Sequence, residues 1–399
     1  MKILIAHSRY RTNAPSGENL VVDQESAALE AAGHDVRRFE RCSDEIRSWS
    51  LVQQAAVPMR IPRHRAVRRA LGEVLELERP DVLHLHNTFP LLSPSVLLAA
   101  RDARVPVVAT IHNYKLLCAS GDFFRSGATC HACAAGGLLP GIRHGCYRGS
   151  RVATVPVATG LAVNRHLWRD LVTAYVFISA AQRDLMGALE LPPDRVFVKH
   201  NFVEEAVGPA RRGRRHGVTY VGRLDEAKGT PLLMAAWDVF RRRHPGSGLT
   251  LTVAGRGPLE VGMAAWAACD PQVDYRGLVS RSEARKLVSG SLAAVVPSAW
   301  EETFGLVAIE AMAEGTPPVA PATGSFPELI EDGVDGVLFQ EGTRGLAEVF
   351  ARMDRDPDAF CELGARAEQT YRTRFQPKDN LDQLLGIYEY AVANPRTAR

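Results

Sequence analysis

The chain has 399 residues, of which 46% are hydrophobic and 23% are charged, and its formal net charge is +3. This composition is typical of a soluble globular protein, and so small a net charge does not favour a nucleic-acid partner. The length favours two domains, each long enough to bury a core of its own.

The N-terminal segment "MKILIAHSRY" predicts a short strand rather than a secretory signal, because its apolar run ends at Ala6. The stretch closest to a membrane span, "VATVPVATGLAV" at 152–163, is shorter than the required ~18–20 residues and contains Thr, Pro and Gly. Seven cysteines without a recognisable export signal argue against a disulfide framework. We therefore expect a cytoplasmic protein.

Up to residue 203, short β-branched runs alternate with amphipathic stretches. The predicted strands are Lys2–Ala6, Asp35–Phe39, Val82–Leu85, Val107–Ile111, Val176–Ile178 and Val196–Lys199. The predicted helices are Leu20–Ala32, Ser43–Val57, Arg65–Leu77, Ser93–Asp102, Arg151–Ala174 and Ala181–Leu189. Strands separated by helices indicate crossover connections and a parallel sheet.

The segment "EEAVGPARRGRRHG" at 204–217 has no apolar periodicity and is typical of a linker. The alternation then restarts. It predicts strands at Val218–Val221, Thr250–Ala254, Val273–Arg276, Ala293–Pro297, Pro318–Ala320 and Val337–Phe339, and helices at Thr230–Arg243, Arg281–Ser289 and Gly305–Ala313.

The expected organisation is an N-terminal domain over 1–203, a C-terminal domain over 218–376 and a last helix within 377–399. Both domains are open as packing partners for that helix, the N-terminal domain included. Both domains are predicted to be doubly wound α/β sheets facing a central cleft, since open α/β sheets bind ligands beyond the carboxyl ends of their strands.

The stretch "PSAWEETFGLVAIEAMAEG" at 297–315 follows a predicted strand and contains two glutamates eight positions apart. The helix that opens at Gly305 would present unpaired N–H groups at Leu306 and Val307, which suits an anion. A phosphate and a carboxylate of the protein itself are the two alternatives. Glu302 lies before this helix and Glu310 within it, so they can grip the hydroxyl groups on either side of a phosphate.

A second turn of this type is "YVGRLDEAKGT" at 220–230, in which Arg223 and Lys228 flank a strand–helix turn. Two cations there suit a diphosphate. On its own this pattern fits a solvated surface pair equally well. A third turn, "VAGRGPLE" at 253–260, lacks the glycine spacing of a dinucleotide fingerprint.

The segments "VGRLDEAKG", "VAGRGPL", "PSAWEETFGLVAIEAMAEGTPPVA" and "ELIEDGVDGVLF" resemble the retaining glycosyltransferases of family 4. The resemblance is strong over 218–340 and looser over 1–203. It implies the GT-B fold, made of two Rossmann-like domains. It also implies that the C-terminal domain binds a nucleotide-diphosphate sugar and the N-terminal domain an acceptor.

Several residue roles follow from this resemblance. Arg223 and Lys228 would hold the diphosphate with the amides of Leu306 and Val307. Glu310 would hold the ribose. Glu302 and the loop through Phe304 and Gly305 would hold the donor sugar, and backbone groups near Leu278 would frame the base.

In the first domain, His112 of "ATIHNY" matches the family's active-site histidine near the sugar. Gly17 of "PSGENLVV" matches a glycine loop close to the phosphates. The family usually has Gly-Gly where this chain has Ser16-Gly17.

The expected chemistry is metal-independent. Arg223, Lys228 and a helix dipole would stabilise the departing phosphate, which would itself take the acceptor proton on the face that is attacked. A double displacement through Glu302 is the less favoured route. An Asp-x-Asp pattern at Asp354–Asp356 is interpreted as structural, because it lies at a polar helix end.

The segment 115–149 lacks periodicity and holds Cys118, Cys130, Cys133 and Cys146. A tetrahedral structural zinc and free buried thiols are equally weighted interpretations. His84, His86 and Asn87 end a strand. Core packing, a metal pair without an evident third ligand, and an acceptor wall formed by His86 and Asn87 are the alternatives there.

The segment "MRIPRHRAVRRALGEV" at 59–74 carries five arginines. A solvated helix face and contact of Arg60–Arg69 with an anionic acceptor or the inner membrane surface are both open. The predicted function is sugar transfer to a sugar, lipid-linked or small-molecule acceptor, with no nucleic-acid partner. A GT-B epimerase or phosphorylase and a non-catalytic binding scaffold are the alternatives.

Overall fold

The structure is a computed structural model that describes residues 1–10, 16–205, 217–340 and 342–396. These residues divide into two compact units. The first contains most of the chain up to His200 and resumes at Lys378, and the second contains the described residues of Asn201–Pro377 together with Phe124–Thr129. Most of the predicted linker, 206–216, and the end of the predicted C-terminal segment, 397–399, lie outside the described residues.

The chain up to His200 builds a six-stranded parallel sheet with the strand order β2-β1-β3-β4-β7-β8, and β5 and β6 form a separate antiparallel hairpin. The strands are β1 (Lys2–Arg9), β2 (Asp35–Cys42), β3 (Val82–Leu85), β4 (Val107–Ile111), β5 (Phe124–Arg125), β6 (Ala128–Thr129), β7 (Ala174–Phe177) and β8 (Val196–Val198). The helices are α1 (Gly17–Ala31), α2 (Leu51–Ala55), α3 (Val57–Arg60), α4 (Arg65–Glu78), α5 (Ser95–Ala103), α6 (Ala132–Gly136), α7 (Leu139–His144), α8 (Arg151–Leu171) and α9 (Ala180–Leu185).

The prediction of one helix over Ser43–Val57 is wrong. The chain forms a 3₁₀ turn at Ser43–Ser48 and then the short helices α2 and α3. Trp49 is extended, with ψ of 154°, and the Ser50 hydroxyl accepts a hydrogen bond from the N–H of Gln53. Because serine is a preferred N-cap, the chain starts a new helix at this point.

The prediction of one helix over Arg151–Ala174 is too long at its end. Helix α8 ends at Leu171, and the N–H of Thr173 already donates to the carbonyl of Val107 at 2.8 Å. The segment 115–149 also has more regular structure than expected, namely β5, β6, α6 and α7. Elements of two to six residues are too short for apolar periodicity to reveal. None of the described helices is both long and apolar enough to cross a membrane.

The second unit contains a six-stranded parallel sheet with the strand order β11-β10-β9-β12-β13-β14. Its strands are β9 (Val218–Val221), β10 (Leu251–Ala254), β11 (Val273–Gly277), β12 (Ala293–Val295), β13 (Pro318–Pro321) and β14 (Val337–Phe339). The helices are α10 (Thr230–Arg243), α11 (Glu260–Ala267), α12 (Arg281–Ser289), α13 (Leu306–Ala313), α14 (Phe326–Leu329), α15 (Gly342–Arg355) and α16 (Pro357–Arg374). The predicted fold class, two doubly wound Rossmann-like sheets, is confirmed.

Helices α11, α15 and α16 were not predicted from the sequence. In α15 the residues Leu346, Val349, Phe350 and Met353 are buried. Their spacing of three and four positions is the signature of an amphipathic helix, so this signal was available in the sequence.

The last helix, α17 (Pro377–Ala393), packs in the core of the first unit. Its buried residues Leu384, Ile387, Tyr388 and Ala391 recur at spacings of three and four and therefore lie on one face. They share a hydrophobic cluster with residues of β1, β3, β4 and β7, so α17 covers the first sheet.

Candidate active site

Helix α13 begins directly after Gly305, whose φ of +89° lies in the left-handed region. A Cβ at this position would lie 2.6 Å from Cε1 of Phe326. Glycine is therefore required where the chain turns into the helix. The N–H groups of Leu306 and Val307 lie in the first turn, where no carbonyl of the same helix accepts from them. This is the backbone arrangement that an anion site at a helix N-terminus requires.

Glu302 lies in the loop between β12 and α13 and is only 5% exposed. Its Oε1 accepts hydrogen bonds from the Ser298 hydroxyl at 2.7 Å and from Nζ of Lys228 at 2.6 Å. Burial alone would raise the pKa of this carboxyl, but the charge and hydrogen bond of Lys228 and the hydrogen bond of Ser298 lower the pKa below its ordinary value. Glu302 is therefore an ionised carboxylate held by a partner 74 positions away.

Lys228 lies in the turn between β9 and α10. Its N–H donates to Oδ1 of Asp225 at 2.8 Å, and its Nζ lies 5.1 Å from the ring centroid of Trp300. Arg223 forms an ion pair with the same aspartate through its Nε, and its side chain is 64% exposed. The structure thus brings Lys228 and Glu302 together and places Arg223 at the same turn with most of its surface available. Asp225 and Trp300 complete this group and were missed by the sequence analysis.

Glu310 is the fifth residue of α13, and its Oε1 lies 3.3 Å from Nη2 of Arg281. Burial raises the pKa of the Glu310 carboxyl above its ordinary value, while the charges of Arg281 and Arg285 oppose that rise. Arg281 is the first residue of α12, which follows β11 through a loop that contains Leu278. Leu278 is 46% exposed. Arg281 was not predicted from the sequence, although its place after a parallel strand was a usable signal.

Phe304 lies in the loop between β12 and α13. Its side chain is buried and makes an edge-on contact with the ring of Phe375 at 6.3 Å between centroids. Its carbonyl oxygen accepts a hydrogen bond from the Ser325 hydroxyl at 2.7 Å. The ring therefore anchors the loop in the core of the second unit.

In the first unit, His112 follows β4 and its Nε2 lies 2.9 Å from Nδ1 of His86. Nε2 of His86 in turn faces Oε2 of Glu25 at 3.7 Å. The other oxygen of Glu25 pairs with Nζ of Lys199 at 2.7 Å, and Asn380 of α17 accepts from the same amine at 2.7 Å. Burial holds the pKa of His112 and that of His86 well below the ordinary value, so both rings are neutral near pH 7.

His84, His86 and Glu25 offer ligand atoms that all lie within 4.8 Å of one another. They fit a metal poorly, because the ring nitrogens of His84 already bond to the hydroxyls of Tyr388 at 2.7 Å and Thr110 at 2.8 Å. The Lys199 amine also neutralises Glu25. His84 therefore fills a structural role in the core, and Glu25 is engaged by Lys199.

The side chain of Asn87 also makes hydrogen bonds to the protein backbone. Its Nδ2 donates to the carbonyl of Ser8 at 3.2 Å, and its Oδ1 accepts from the N–H of Phe89 at 2.9 Å. These bonds favour the packing interpretation over the acceptor wall.

Gly17 is the first residue of α1, and the hydroxyl of Ser16 caps this helix by accepting from the N–H of Asn19 at 3.3 Å. Residues 11–15 of the loop before it lie outside the described residues. Next to Gly17, burial raises the pKa of Glu18 to about 8, against the hydrogen bond from Asn113. A protonated carboxyl at this helix start is a polar group that sequence analysis missed.

The four cysteines of 115–149 occupy one region of the first unit. All seven cysteines of the chain lie in its described part, and none forms a disulfide. Burial and the neighbouring thiols of Cys118, Cys146 and Cys130 raise the pKa of the Cys133 thiol. No three of these sulfurs lie within 4.8 Å of one another, so they are neighbours without being at coordination distance.

Asp354 and Asp356 have structural partners. Oδ1 of Asp354 accepts from the hydroxyl of Ser247 at 2.6 Å, and Asp356 caps α16 by accepting from the N–H of Ala359 at 3.1 Å. Both bonds agree with the structural interpretation of this pair.

Comparison with known families gives two matches. The model described as "Glycosyl transferase 4-like domain" matches residues 16–202, and the model described as "Glycosyl transferases group 1" matches residues 215–356. Glycogen synthase of Mycobacterium tuberculosis is 29% identical over 94% of this chain and 91% of its own length. The D-inositol 3-phosphate glycosyltransferase of Acidothermus cellulolyticus is 32% identical over 54% of this chain and 52% of its own length.

Two solved structures share the fold. Sucrose-phosphate synthase from Thermosynechococcus elongatus superposes with a TM-score of 0.72 at 17% identity, over 98% of this chain and 99% of that one. Anabaena HepE in complex with UDP-glucose superposes with a TM-score of 0.67 at 18% identity, over 98% and 99%. The two Rossmann-like domains and the family matches define a glycosyltransferase that uses a nucleotide-sugar donor. The chain belongs to the group 1 glycosyltransferases, as the sequence motifs predicted.

The turn at Gly305 provides a test of the site's backbone. In Gly305→Ala, the strained φ and the overlap with Phe326 should displace the start of α13, lower the free energy of unfolding by about 2 kcal/mol or more and remove the thermal stabilisation given by nucleotide. Gly262→Ala in α11 is the matched control, because a Cβ there meets no atom within 4 Å. It should be neutral or stabilising. Equal behaviour of the two variants would contradict the role given to Gly305.

Proposed function

We propose that this enzyme transfers a sugar from a nucleoside-diphosphate sugar to an acceptor hydroxyl with retention of the anomeric configuration and without a catalytic metal. The observation that carries the proposal is the group around the start of α13: the Lys228–Glu302 ion pair at 2.6 Å, Arg223 beside it and Glu310 within the helix. Positive charge and helix amides lie together at the carboxyl edge of a parallel sheet, where nucleotides bind in folds of this type.

Different residues would bind the diphosphate, the ribose, the sugar and the base of the donor. Arg223, Lys228 and the amides of Leu306 and Val307 would bind the diphosphate, and Glu310 would accept hydrogen bonds from the ribose hydroxyls. The ammonium group of Lys228 has three donors, so it can keep its bond to Glu302 while it contacts a phosphate oxygen. Glu302 and the backbone at Phe304 and Gly305 would face the sugar, and the loop at Leu278 would frame the base.

The chemistry would then proceed on one face of the sugar. The bond between the anomeric carbon and the phosphate oxygen breaks, and negative charge builds on the leaving diphosphate, where Arg223, Lys228 and the helix dipole stabilise it. The acceptor oxygen bonds to the same carbon on the same face, and its proton passes to the departing phosphate oxygen. No protein nucleophile is required.

The surroundings of Glu302 support this route over a double displacement. Its Oε1 already accepts two hydrogen bonds, from Ser298 and from the Lys228 ammonium, and the residue is 5% exposed. A carboxylate whose charge is neutralised in this way is a weak nucleophile. Its pairing suits a residue that positions Lys228 and the sugar.

For the first unit we propose the roles that the family resemblance gives: His112 contacts the transferred sugar and Gly17 approaches the phosphates. Because burial keeps the ring of His112 neutral, it would act as a hydrogen-bonding group and not as an acid. Among relatives, one is named for D-inositol 3-phosphate and another for glycogen. A polyhydroxylated acceptor, free, polymeric or lipid-linked, is the class that we propose here.

Glu310→Ala tests the donor site directly. Loss of a charged hydrogen-bond acceptor costs about 1.5–3 kcal/mol, so the dissociation constant for the preferred nucleoside diphosphate, measured by calorimetry, should rise by about 10- to 100-fold. Glu348→Ala on the exposed side of α15 is the control and should leave the constant unchanged. Unchanged binding in Glu310→Ala would refute the donor site as proposed.

We also propose that Cys118, Cys130, Cys133 and Cys146 hold a structural zinc. Cys130 and Cys133 have the Cys-x-x-Cys spacing that is typical of structural zinc sites, and the electrostatic influence of the other three thiols on Cys133 supports their proximity. The short elements of this segment have little apolar core, so a metal would supply the missing stabilisation.

Metal analysis of the purified protein tests this second proposal. We expect about one zinc per chain, lost in Cys130→Ser/Cys133→Ser together with a fall in the melting temperature. Cys269→Ser/Cys361→Ser, at two exposed cysteines, should keep the zinc. A native protein without zinc, or equal metal content in both variants, would refute the zinc site.

A further inference from the structure

Two long segments of the first unit carry arginines but no acidic residue. Residues 46–72 contain six arginines and residues 130–169 contain five, and neither segment contains Asp, Glu or Lys. The whole chain has nearly equal numbers, 48 basic and 45 acidic residues. These two stretches therefore carry positive charge with no acidic residue of their own to balance it.

The fold packs the two segments against each other. Helix α3 contacts α8, and α7 contacts α8. Nδ2 of Asn164 donates to the carbonyl of Pro62 at 2.9 Å, and a Cβ on Gly160 would lie 3.2 Å from Cα of Pro62. Ile61 and Val157 share one apolar cluster. The two acid-free segments thus form one block, made of α2, α3, the turn at 61–64, the first half of α4, α7 and α8, which we call the arginine block.

This block also carries exposed apolar side chains. Fourteen large hydrophobic residues of the described chain are exposed, and seven of them belong to the arginine block: Leu51, Val52, Met59, Leu139, Val152, Val155 and Val163. On α8, Val152, Val155 and Val163 lie on one stripe at spacings of three and eight positions. The opposite side of α8 is buried through Val157, Asn164 and Leu171.

Several arginines of the block are not neutralised. Arg68 pairs with Asp102 and Arg69 with Glu73, so these two are already compensated. Within the described part of the chain, Arg63, Arg65, Arg143 and Arg151 form no ion pair. All four are exposed. Arg143 shares α7 with Leu139 and Arg151 shares α8 with Val152, while Arg63 and Arg65 lie at the start of α4.

We propose that the arginine block is a docking surface for a bilayer that contains anionic lipids. Guanidinium groups attract anionic headgroups, and apolar side chains beside them enter the boundary between headgroups and acyl chains. A nucleic acid or a soluble anionic glycan would match the charge but would leave seven apolar side chains without a partner. The proposal deepens the proposed function: it places the acceptor at a membrane surface, which favours the lipid-linked class.

The experiment uses the full-length protein with two kinds of vesicle, phosphatidylcholine alone and phosphatidylcholine with phosphatidylglycerol. The wild type should sediment with the anionic vesicles and not with the neutral ones, and salt should weaken this binding. Val152→Ser/Val155→Ser and Arg63→Gln/Arg65→Gln should each weaken it about tenfold or more.

Matched controls lie in the second unit. Val261, on α11, is as exposed as Val152, at 83%, and Arg242 and Arg243 are an exposed pair on α10. Val261→Ser and Arg242→Gln/Arg243→Gln should bind anionic vesicles as the wild type does. Absence of wild-type binding, or equal losses in the block variants and the controls, would overturn the proposal.

Two further readouts separate the alternatives. A wild-type dimer by light scattering that Val152→Ser/Val155→Ser converts to a monomer would assign the surface to a second copy of this chain and refute the membrane proposal. Nucleotide binding by calorimetry reports on the donor site alone. Loss of vesicle binding with intact nucleotide binding therefore tests the docking surface without bearing on the proposed transfer reaction.

Discussion

The ion pair between Glu302 and Lys228 is the constraint on which the second unit's site depends. Lys228 follows β9 and Glu302 follows β12, and these strands are neighbours in the sheet. A carboxylate that is only 5% exposed requires a partner, because an unpaired buried charge is very costly. The pair therefore fixes the two loops together, and the loop of Glu302 leads through Gly305 into α13. A change at either residue would move the helix start as well as the charge.

Strand order explains why distant residues gather at this place. The turn with Arg223 and Lys228, the loop with Leu278 and Arg281, and the loop with Glu302 follow β9, β11 and β12 of one parallel sheet. The carboxyl ends of parallel strands meet at one edge, and loops there carry the functional groups. Glu310 joins them because α13 starts at this edge, and Arg281 holds it from the neighbouring helix at 3.3 Å. The result combines cations, helix amides and two carboxylates.

The sequence was sufficient for the strands and for the chemistry of individual motifs, because β-branched runs and glycine turns are local signals. It was insufficient for pairings such as Lys228 with Glu302, or His86 with His112 and Glu25, because tertiary packing creates these contacts between distant residues. Local capping also escaped prediction: Ser50 restarts a helix where apolar spacing alone favoured a continuous one. The matched motif contains Phe304, but the motif does not indicate that the ring of Phe304 is buried in the core. Burial raises the pKa of the Glu18 carboxyl, and no sequence motif indicates that burial.

The most direct test of the diphosphate site is a thermal-shift panel of UDP, GDP, ADP, CDP and dTDP, with the matching monophosphates beside them. A ligand that binds only the native state raises its stability in proportion to ln(1 + [L]/Kd). We expect one diphosphate to stabilise the protein clearly, its monophosphate to do so much less, and EDTA to leave the difference unchanged. Stabilisation by no diphosphate, or equal stabilisation by the monophosphate, would contradict a diphosphate site formed by Arg223, Lys228 and the start of α13.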